Sequence, residues 1–283
     1  MVRNALSVDV EDWFQVGAFE TVIPRGDWDG LERRVETNTD AILAQFDEAG
    51  VHATFFTLGW VAQRHPALIR RIVAAGHELA SHGCAHDRVF LMSRNQFRDD
   101  IARARKTLED AGGVSVTGYR APSFSIDSRT PWAHEMLAEA GYAYSSSVAP
   151  VVHDHYGWPE APRFAYCPVP GSSLIELPVT TARLAGRTIG AGGGGYFRIL
   201  PYAFSRWAIR QANAAGEAAI FYFHPWELDP GQPRVADAPL RSRLRHYTNL
   251  AGTAGKLKRL LSEFAWERVD AVANSALKAL ERS

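Results

Sequence analysis

The stretch Val51-His52-Ala53-Thr54-Phe55-Phe56-Thr57-Leu58-Gly59, the run 60–75 behind it and then Gly76-His77-Glu78-Leu79-Ala80 decide the fold. The first is apolar and aromatic through its middle, the pattern of a strand buried on both faces. Residues 60–75 place Leu68, Ile69, Ile72 and Val73 on one helical face, and Gly76 closes that helix. The third run is again strand-like. Strand, helix and strand in about 30 residues make one βαβ unit, which predicts neighbouring parallel strands.

The same rhythm extends in both directions. Residues 5–10 read as a first strand ending in the acids Asp9, Glu11 and Asp12. Residues 31–50 read as a helix, with Val35, Ile42, Leu43 and Phe46 at helical spacing and Gly50 as its stop. Residues 94–111 form a further helix, opened by Ser93 with Gln96 three places on, a capping-box pattern. Residues 118–122 are a strand running into a turn, 131–140 a helix, and 141–144 the start of another strand. Beyond Pro150 the alternation breaks. Residues 153–170 hold four prolines and read as an irregular excursion. A strand at 174–179, a glycine-rich loop at 190–195, a helix at 202–215 and an apolar strand at 219–224 follow. The tail 252–283 is helical at both ends. About seven parallel strands with outer helices predict an α/β barrel-like domain. No internal repeat or linker divides the chain.

Composition narrows the function. Of 283 residues, 46% are hydrophobic and 22% charged, enough to bury a core. Lys+Arg and Asp+Glu are both 31, so net charge gives no argument for nucleic acid or an anionic membrane. Cys84 and Cys167 make no disulfide framework. The start, Met1-Val2-Arg3-Asn4, runs into a strand without a charged-then-apolar leader, and no apolar run reaches membrane-spanning length. A soluble, cytoplasmic protein is the expectation.

The chemistry-bearing residues fall at predicted strand ends: Asp9 and Glu11 after the first, His82 and His86 after the third, Arg120 after the fourth and His224 after the last. In a parallel barrel those ends converge on one face. His82 and His86 are four apart, so a helical turn opening at Ser81 would put both imidazoles on one side. Cys84 at i+2 would point off that side. Two histidines and a carboxylate form a facial metal site with open positions. A second carboxylate can take a proton from water, an arginine can hold it ionised, and a histidine opposite can protonate a leaving nitrogen. This inventory suits metal-assisted hydrolysis of an amide.

With these residues in view, the chain resembles the polysaccharide deacetylase superfamily, carbohydrate esterase family four, which shares the NodB homology domain. Its acidic motif is matched by Asp9-Val10-Glu11-Asp12, its His-x-x-x-His by His82 to His86, and its Arg-x-Pro by Arg120-Ala121-Pro122. Its late histidine strand is matched loosely by Tyr222-Phe223-His224-Pro225. Asp9 to Phe14, Gly193 to Arg198, His224-Pro225-Trp226-Glu227 and Arg245 to Asn249 are similar to a subgroup associated with exopolysaccharide loci and the exosortase system.

The resemblance implies a deformed (β/α)7 barrel with an irregular insertion and C-terminal helices. It implies one catalytic domain over 1–283, of which 228–283 is a subgroup-specific extension. The implied activity is metal-dependent removal of N-acetyl groups from sugars of a bacterial exopolysaccharide or its precursor. Asp9 is the implied base, His224 the acid and Arg120 the tether of the base. Glu11, His82 and His86 are the implied metal ligands, with Asp12 the alternative to Glu11. Zinc is the expected ion, and cobalt, nickel or iron suit the same donors. Pro122, Tyr196 and Trp226 are expected to face substrate. For Trp13, Trp158 and Trp226, a sugar groove and core packing are equal expectations. Expected partners are an N-acetylated poly- or oligosaccharide and membrane-associated polysaccharide-synthesis proteins.

Two departures stand out. The acids are not an adjacent Asp-Asp pair. Relatives carry an Asp after a Tyr on the fifth strand, where this chain reads Tyr144-Ser145. If that Asp orients the acid histidine, Asp127 or Asp229 would have to substitute. A small-molecule amidohydrolase, and a catalytically weak sugar-binding member of an assembly complex, are the competing readings. The glycine-rich stretch 190–195 lacks a P-loop ending and reads as a plain flexible loop.

Overall fold

The computed structural model describes residues 2–153 and 156–282; Met1, Asp154, His155 of the proline-rich excursion, and Ser283 of the tail lie outside them. The chain opens with strand β1 (Asn4–Val10), buried along its whole length. Helix α1 (Val35–Ala49) follows, closed by Gly50 in the left-handed conformation. Next come β2 (Thr54–Thr57), α2 (Gly59–Arg64), α3 (Pro66–Ala74) and β3 (Glu78–Ser81). The helix expected at 60–75 is thus two helices. Pro66 lacks the N–H that a continuous helix needs, so α2 ends at His65 and Pro66 opens α3. Helix α4 (Arg94–Gly112) begins with the expected capping box of Ser93 and Gln96.

Short strands β4 (Gly118–Tyr119) and β5 (Tyr144–Ser145) flank α5 (Trp132–Glu139), and β6 (Ile175–Glu176) follows the excursion. A hairpin that the sequence did not announce, β7 (Thr181–Leu184) with β8 (Arg187–Gly190), then stands apart from the main sheet. After it come α6 (Gly194–Ile199), α7 (Tyr202–Ala214) and β9 (Ile220–Phe223). The tail carries α8 (Leu240–Tyr247), α9 (Leu250–Glu263), β10 (Trp266–Glu267) and α10 (Val269–Leu280).

The main sheet has eight strands among the described residues, in the order β10-β1-β2-β3-β4-β5-β6 with β9 also on β1, and every pairing is parallel. It is a curled half-barrel with helices outside, the barrel-like α/β fold expected from the βαβ rhythm. Phe46, Phe55, Leu68, Ile69, Phe97 and Phe221 fill the space between helices and sheet with no exposed surface.

The curl brings β6 near β9, and the seam between them is bridged without a strand pair. Thr180 donates its N–H to the Ile220 carbonyl (3.2 Å), and its hydroxyl accepts from the Ile220 N–H (2.6 Å). The Tyr222 N–H donates to the Gly192 carbonyl (2.8 Å), and Gly193 bridges Tyr222 in parallel fashion. The stretch expected as a flexible loop is therefore buried seam. Its glycines are small because backbone lies against backbone: a Cβ on Gly193, at φ 127°, would sit 1.8 Å from the Tyr222 carbonyl oxygen. We expect Gly193→Ala to lower unfolding free energy by about 2 kcal/mol or more in urea titrations. Gly195→Ala, whose Cβ would meet only the tip of Arg198 at 3.9 Å, should stay within about 1 kcal/mol of the parent.

Candidate active site

The strand ends deliver the sequence candidates to one rim. The two histidines arrive by a route that differs from expectation. Residues after β3 form no helical turn; Gly83 (φ 73°) and His86 (φ 57°) both lie in the left-handed region, and the loop curls through them. Asp100 is the physical reason. Its carboxylate accepts the Cys84 N–H at 3.2 Å and crowds the Cα of Gly83, where a Cβ would approach within 2.9 Å. The carbonyls of Gly83 and Cys84 accept from the N–H groups of Gly59 and Trp60 at the start of α2 (2.9 and 2.8 Å). The loop is thereby tied down, and it places the imidazole rings 5.5 Å apart between centroids.

Glu11 completes the set. Ligating atoms of Glu11, His82 and His86 all lie within 4.8 Å of one another, the one such trio of His, Cys, Asp or Glu found among the described residues. His82 donates Nδ1–H to the Arg120 carbonyl (2.8 Å), which fixes its tautomer and leaves Nε2 a lone pair. Burial pushes its pKa down to about 4, so it stays neutral. Burial alone would raise the Glu11 carboxyl, but the neighbouring imidazoles, His86 and His224 foremost, outweigh it and hold the group at about 2. Glu11 Oε2 is buried and accepts no hydrogen bond, although His86 Nε2 lies 2.9 Å away. A buried carboxylate oxygen close to two imidazoles is the donor set a cation site presents. A divalent ion would take such donors at about 2.0–2.2 Å each. The donor set fits.

Asp12, the alternative ligand, faces elsewhere. Its carboxylate accepts the N–H groups of Trp13, Arg34 and Val35 at 2.8–3.0 Å and so caps α1. Cys84 also turns away: its thiol donates to the Asp100 carbonyl, Arg103 lies on its sulfur, and burial pushes its pKa up to about 12.

Asp9 sits beside the trio. Its Oδ1 accepts from Arg120 Nη1 at 2.7 Å, and its Oδ2 lies 4.0 Å from His224 Nε2. Arg120 is wholly buried and has a built seat: Ser7 Oγ at 2.7 Å, the Ser146 carbonyl at 3.0 Å and Ser146 Oγ at 2.9 Å. Neither serine was singled out in the sequence, because a small hydroxyl residue carries no pattern. Ser145, which the resemblance sets where an Asp was expected, bonds Ser147 Oγ (2.8 Å) and not His224.

His224 faces the same cavity from β9, with Nε2 3.6 Å from Glu11 Oε1. Its support is not Asp127, which pairs with Arg129, nor Asp229, which pairs with Arg34. It is Glu227, whose Oε2 lies 3.2 Å from His224 Nδ1. Burial opposes the charged imidazole, but Glu11, Glu227 and Asp9 outweigh it and raise its pKa to about 9. The signal for Glu227 was present in His224-Pro225-Trp226-Glu227, where i and i+3 face each other across one turn.

The cavity above these groups holds about 230 Å³, with Ser123, Phe124, Tyr156, Tyr222 and Trp226 in its walls. Trp226 lines it and donates Nε1–H to Glu11 (3.2 Å). Pro122 is buried beneath, and its neighbours Ser123 and Phe124 make the wall instead. Tyr196 lines an adjoining cavity of about 360 Å³ that shares Tyr156, Tyr222 and Arg245 with the first. Trp13 is buried against Phe14, and Trp158 packs on the core. A larger cavity of about 500 Å³ lies elsewhere, among Arg3, Arg163, Glu217 and Glu267, and holds none of the candidate residues.

The fold and this rim combine a parallel α/β barrel-like sheet with a Glu-His-His trio, a tethered carboxylate and a histidine beside it. Comparison with known proteins gives the following similarities. Residues 27–145 match the family model of polysaccharide deacetylases, and residues 146–274 match a domain of unknown function, DUF3473. A peptidoglycan deacetylase of Helicobacter pylori is 28% identical over 113 residues, 40% of this chain and 38% of that protein. A chitooligosaccharide deacetylase of Sinorhizobium fredii is 36% identical over 109 residues, 37% of this chain and 48% of that protein. The matches thus span less than half the length of these relatives. A Mycobacterium smegmatis crystal structure described as a polysaccharide deacetylase superposes with TM-score 0.63 over 99% of this chain and 92% of that one, at 22% identity. An allantoinase superposes with TM-score 0.59 at 18% identity, over 96% of this chain and 89% of that one. At these identities both structures show the shared fold. The resemblance to the polysaccharide deacetylase family model thus rests on residues 27–145, less than half of the chain.

His82→Ala and His86→Ala should each lose stoichiometric zinc after dialysis, read by elemental analysis. Cys84→Ser should keep it. Full zinc in both histidine variants would contradict the ligand set.

Proposed function

We propose that the protein is a metal-dependent deacetylase that removes N-acetyl groups from sugar residues of a bacterial exopolysaccharide or its precursor. The observation that carries this reading is the placement of Asp9 and His224 together beside the Glu11–His82–His86 trio in one cavity. Their facing atoms are 4.0 Å apart above one cavity. A bound divalent cation would supply Lewis acidity there, polarising an amide carbonyl and acidifying a water.

The chain's own groups do the rest. Arg120 holds Asp9 in one orientation, so its free oxygen takes the proton of the attacking water. His224 carries a proton on Nε2, supported by its acidic surroundings, and delivers it to the departing amine. Tyr222, Phe124 and Trp226 exclude bulk water and offer apolar faces to a sugar ring. The exopolysaccharide assignment is supported by the resemblance of Asp9–Phe14 and His224–Glu227 to that subgroup. Zinc suits the donors, and the reading takes the chain as one catalytic unit with 228–283 as an extension. Among the described residues no helix is long and apolar enough to cross a membrane. A cytoplasmic place of action, beside membrane-bound synthesis proteins, is part of the proposal.

Zinc-loaded protein should release acetate from N-acetylglucosamine oligomers. Asp9→Asn should lower kcat by roughly 10²–10⁴-fold with zinc content unchanged. Turnover of a ureide or formamide without acetate release would favour a small-molecule amidohydrolase. Binding of oligomers without turnover under any added metal would favour a sugar-binding role.

A further inference from the structure

We infer that Glu227 is the positioning carboxylate of His224, locked in turn by Arg198. The segment matching the domain of unknown function would then supply the whole acid half of the site. This rests on the deacetylase reading for its chemistry and on geometry for its assignment. Glu227 Oε2 meets the ring at Nδ1 and also accepts the main-chain N–H of His224 at 3.0 Å, so ring and backbone are gripped by one oxygen. The other oxygen accepts from Arg198 Nε at 2.6 Å. Arg198 is 3% exposed and has no freedom left: it donates to the carbonyls of Arg245, His246 and Thr248 at 2.7, 3.0 and 2.9 Å. The imidazole is also held on its face. It stacks on Trp226 at 5.1 Å and 21°, and Trp226 stacks on His246 at 4.1 Å and 13°.

A carboxylate at Nδ1 leaves only Nε2 to face the cavity. The proton that Nε2 gives up is therefore aimed at the side where Asp9 and Glu11 stand. The support for His224 thus comes from three residues beyond the histidine and not from Ser145. This support is anchored in α6 and at the C-terminal end of α8, through Arg198.

A purely structural Glu227, a cap for the short turn at residues 225–228, would behave differently from a positioning one. The discriminating experiment compares an N-acetylglucosamine oligomer with 4-nitrophenyl acetate on zinc-loaded protein. The phenolate leaves without a proton; the amine does not. Glu227→Gln should lower kcat on the oligomer by roughly 10²-fold or more, with KM little changed and the ester rate within about tenfold. In the His224→Ala background, Glu227→Gln should add no further loss, because both act through one imidazole. Equal losses on both substrates, or losses that add in the double variant, would overturn the inference. Should the variant not fold, ¹⁵N NMR of the parent decides: the proposal requires Nδ1–H on neutral His224, and an Nε2–H tautomer would overturn it. Failure of the parent to release acetate from any oligomer would sink the deacetylase reading and leave the tautomer measurement to judge Glu227.

Discussion

The structure depends on how a protein keeps five ionisable groups within a few ångströms of one another around one cavity. Glu11, His82 and Asp9 are each at most 2% exposed, and His86 and His224 close over them. A buried carboxylate without a partner is costly, and so is a buried imidazolium. The chain resolves the problem by giving each group a different answer. Asp9 has a charged partner in Arg120, and removing either would leave a buried charge at a cost of about 3–5 kcal/mol. His82 is kept neutral by burial, with its one proton committed to a carbonyl. His224 has Glu227. Glu11 Oε2 is left without a hydrogen bond and faces two imidazoles, an arrangement that a cation completes.

These answers come from different parts of the chain, and the sheet makes them meet. β1 carries Asp9 and is the neighbour of both β2 and β9. Arg120, just past β4, reaches across to Asp9 over the ring of Phe56 at 4.1 Å. The two matched sequence regions join at residues 145 and 146, but the sheet crosses that boundary through β5 and β6, and β9 returns to the centre beside β1. The Glu11–His82–His86 trio and the His224–Glu227 pair therefore lie on opposite sides of a sequence boundary and meet at one cavity.

Much of this was legible in the residues. Apolar runs with helical and strand periods marked the βαβ units, and Ser93 with Gln96 marked a helix start. Strand-end polarity put Asp9, Glu11, His82, His86, Arg120 and His224 on a shared rim. What escaped was local geometry without periodicity. The loop from His82 to His86 owes its shape to Asp100, sixteen residues from Cys84 and on another element. The break at Pro66 needed the proline to outweigh a continuous apolar face. Gly192 and Gly193 looked like freedom and are close packing, which only the position of β9 reveals. Ser7 and Ser146 seat Arg120, yet small hydroxyl residues leave no mark in a pattern. Glu227 stands at i+3 from His224, a spacing the sequence does carry, but on a short turn without periodicity to mark it.

X-ray absorption at the zinc edge on metal-loaded protein tests the central claim most directly. The account predicts a nearest shell of two imidazole nitrogens and a carboxylate oxygen at about 2.0–2.2 Å, with no sulfur, completed by solvent oxygen. A shell containing sulfur, or one without histidine, would place the ion elsewhere and contradict it.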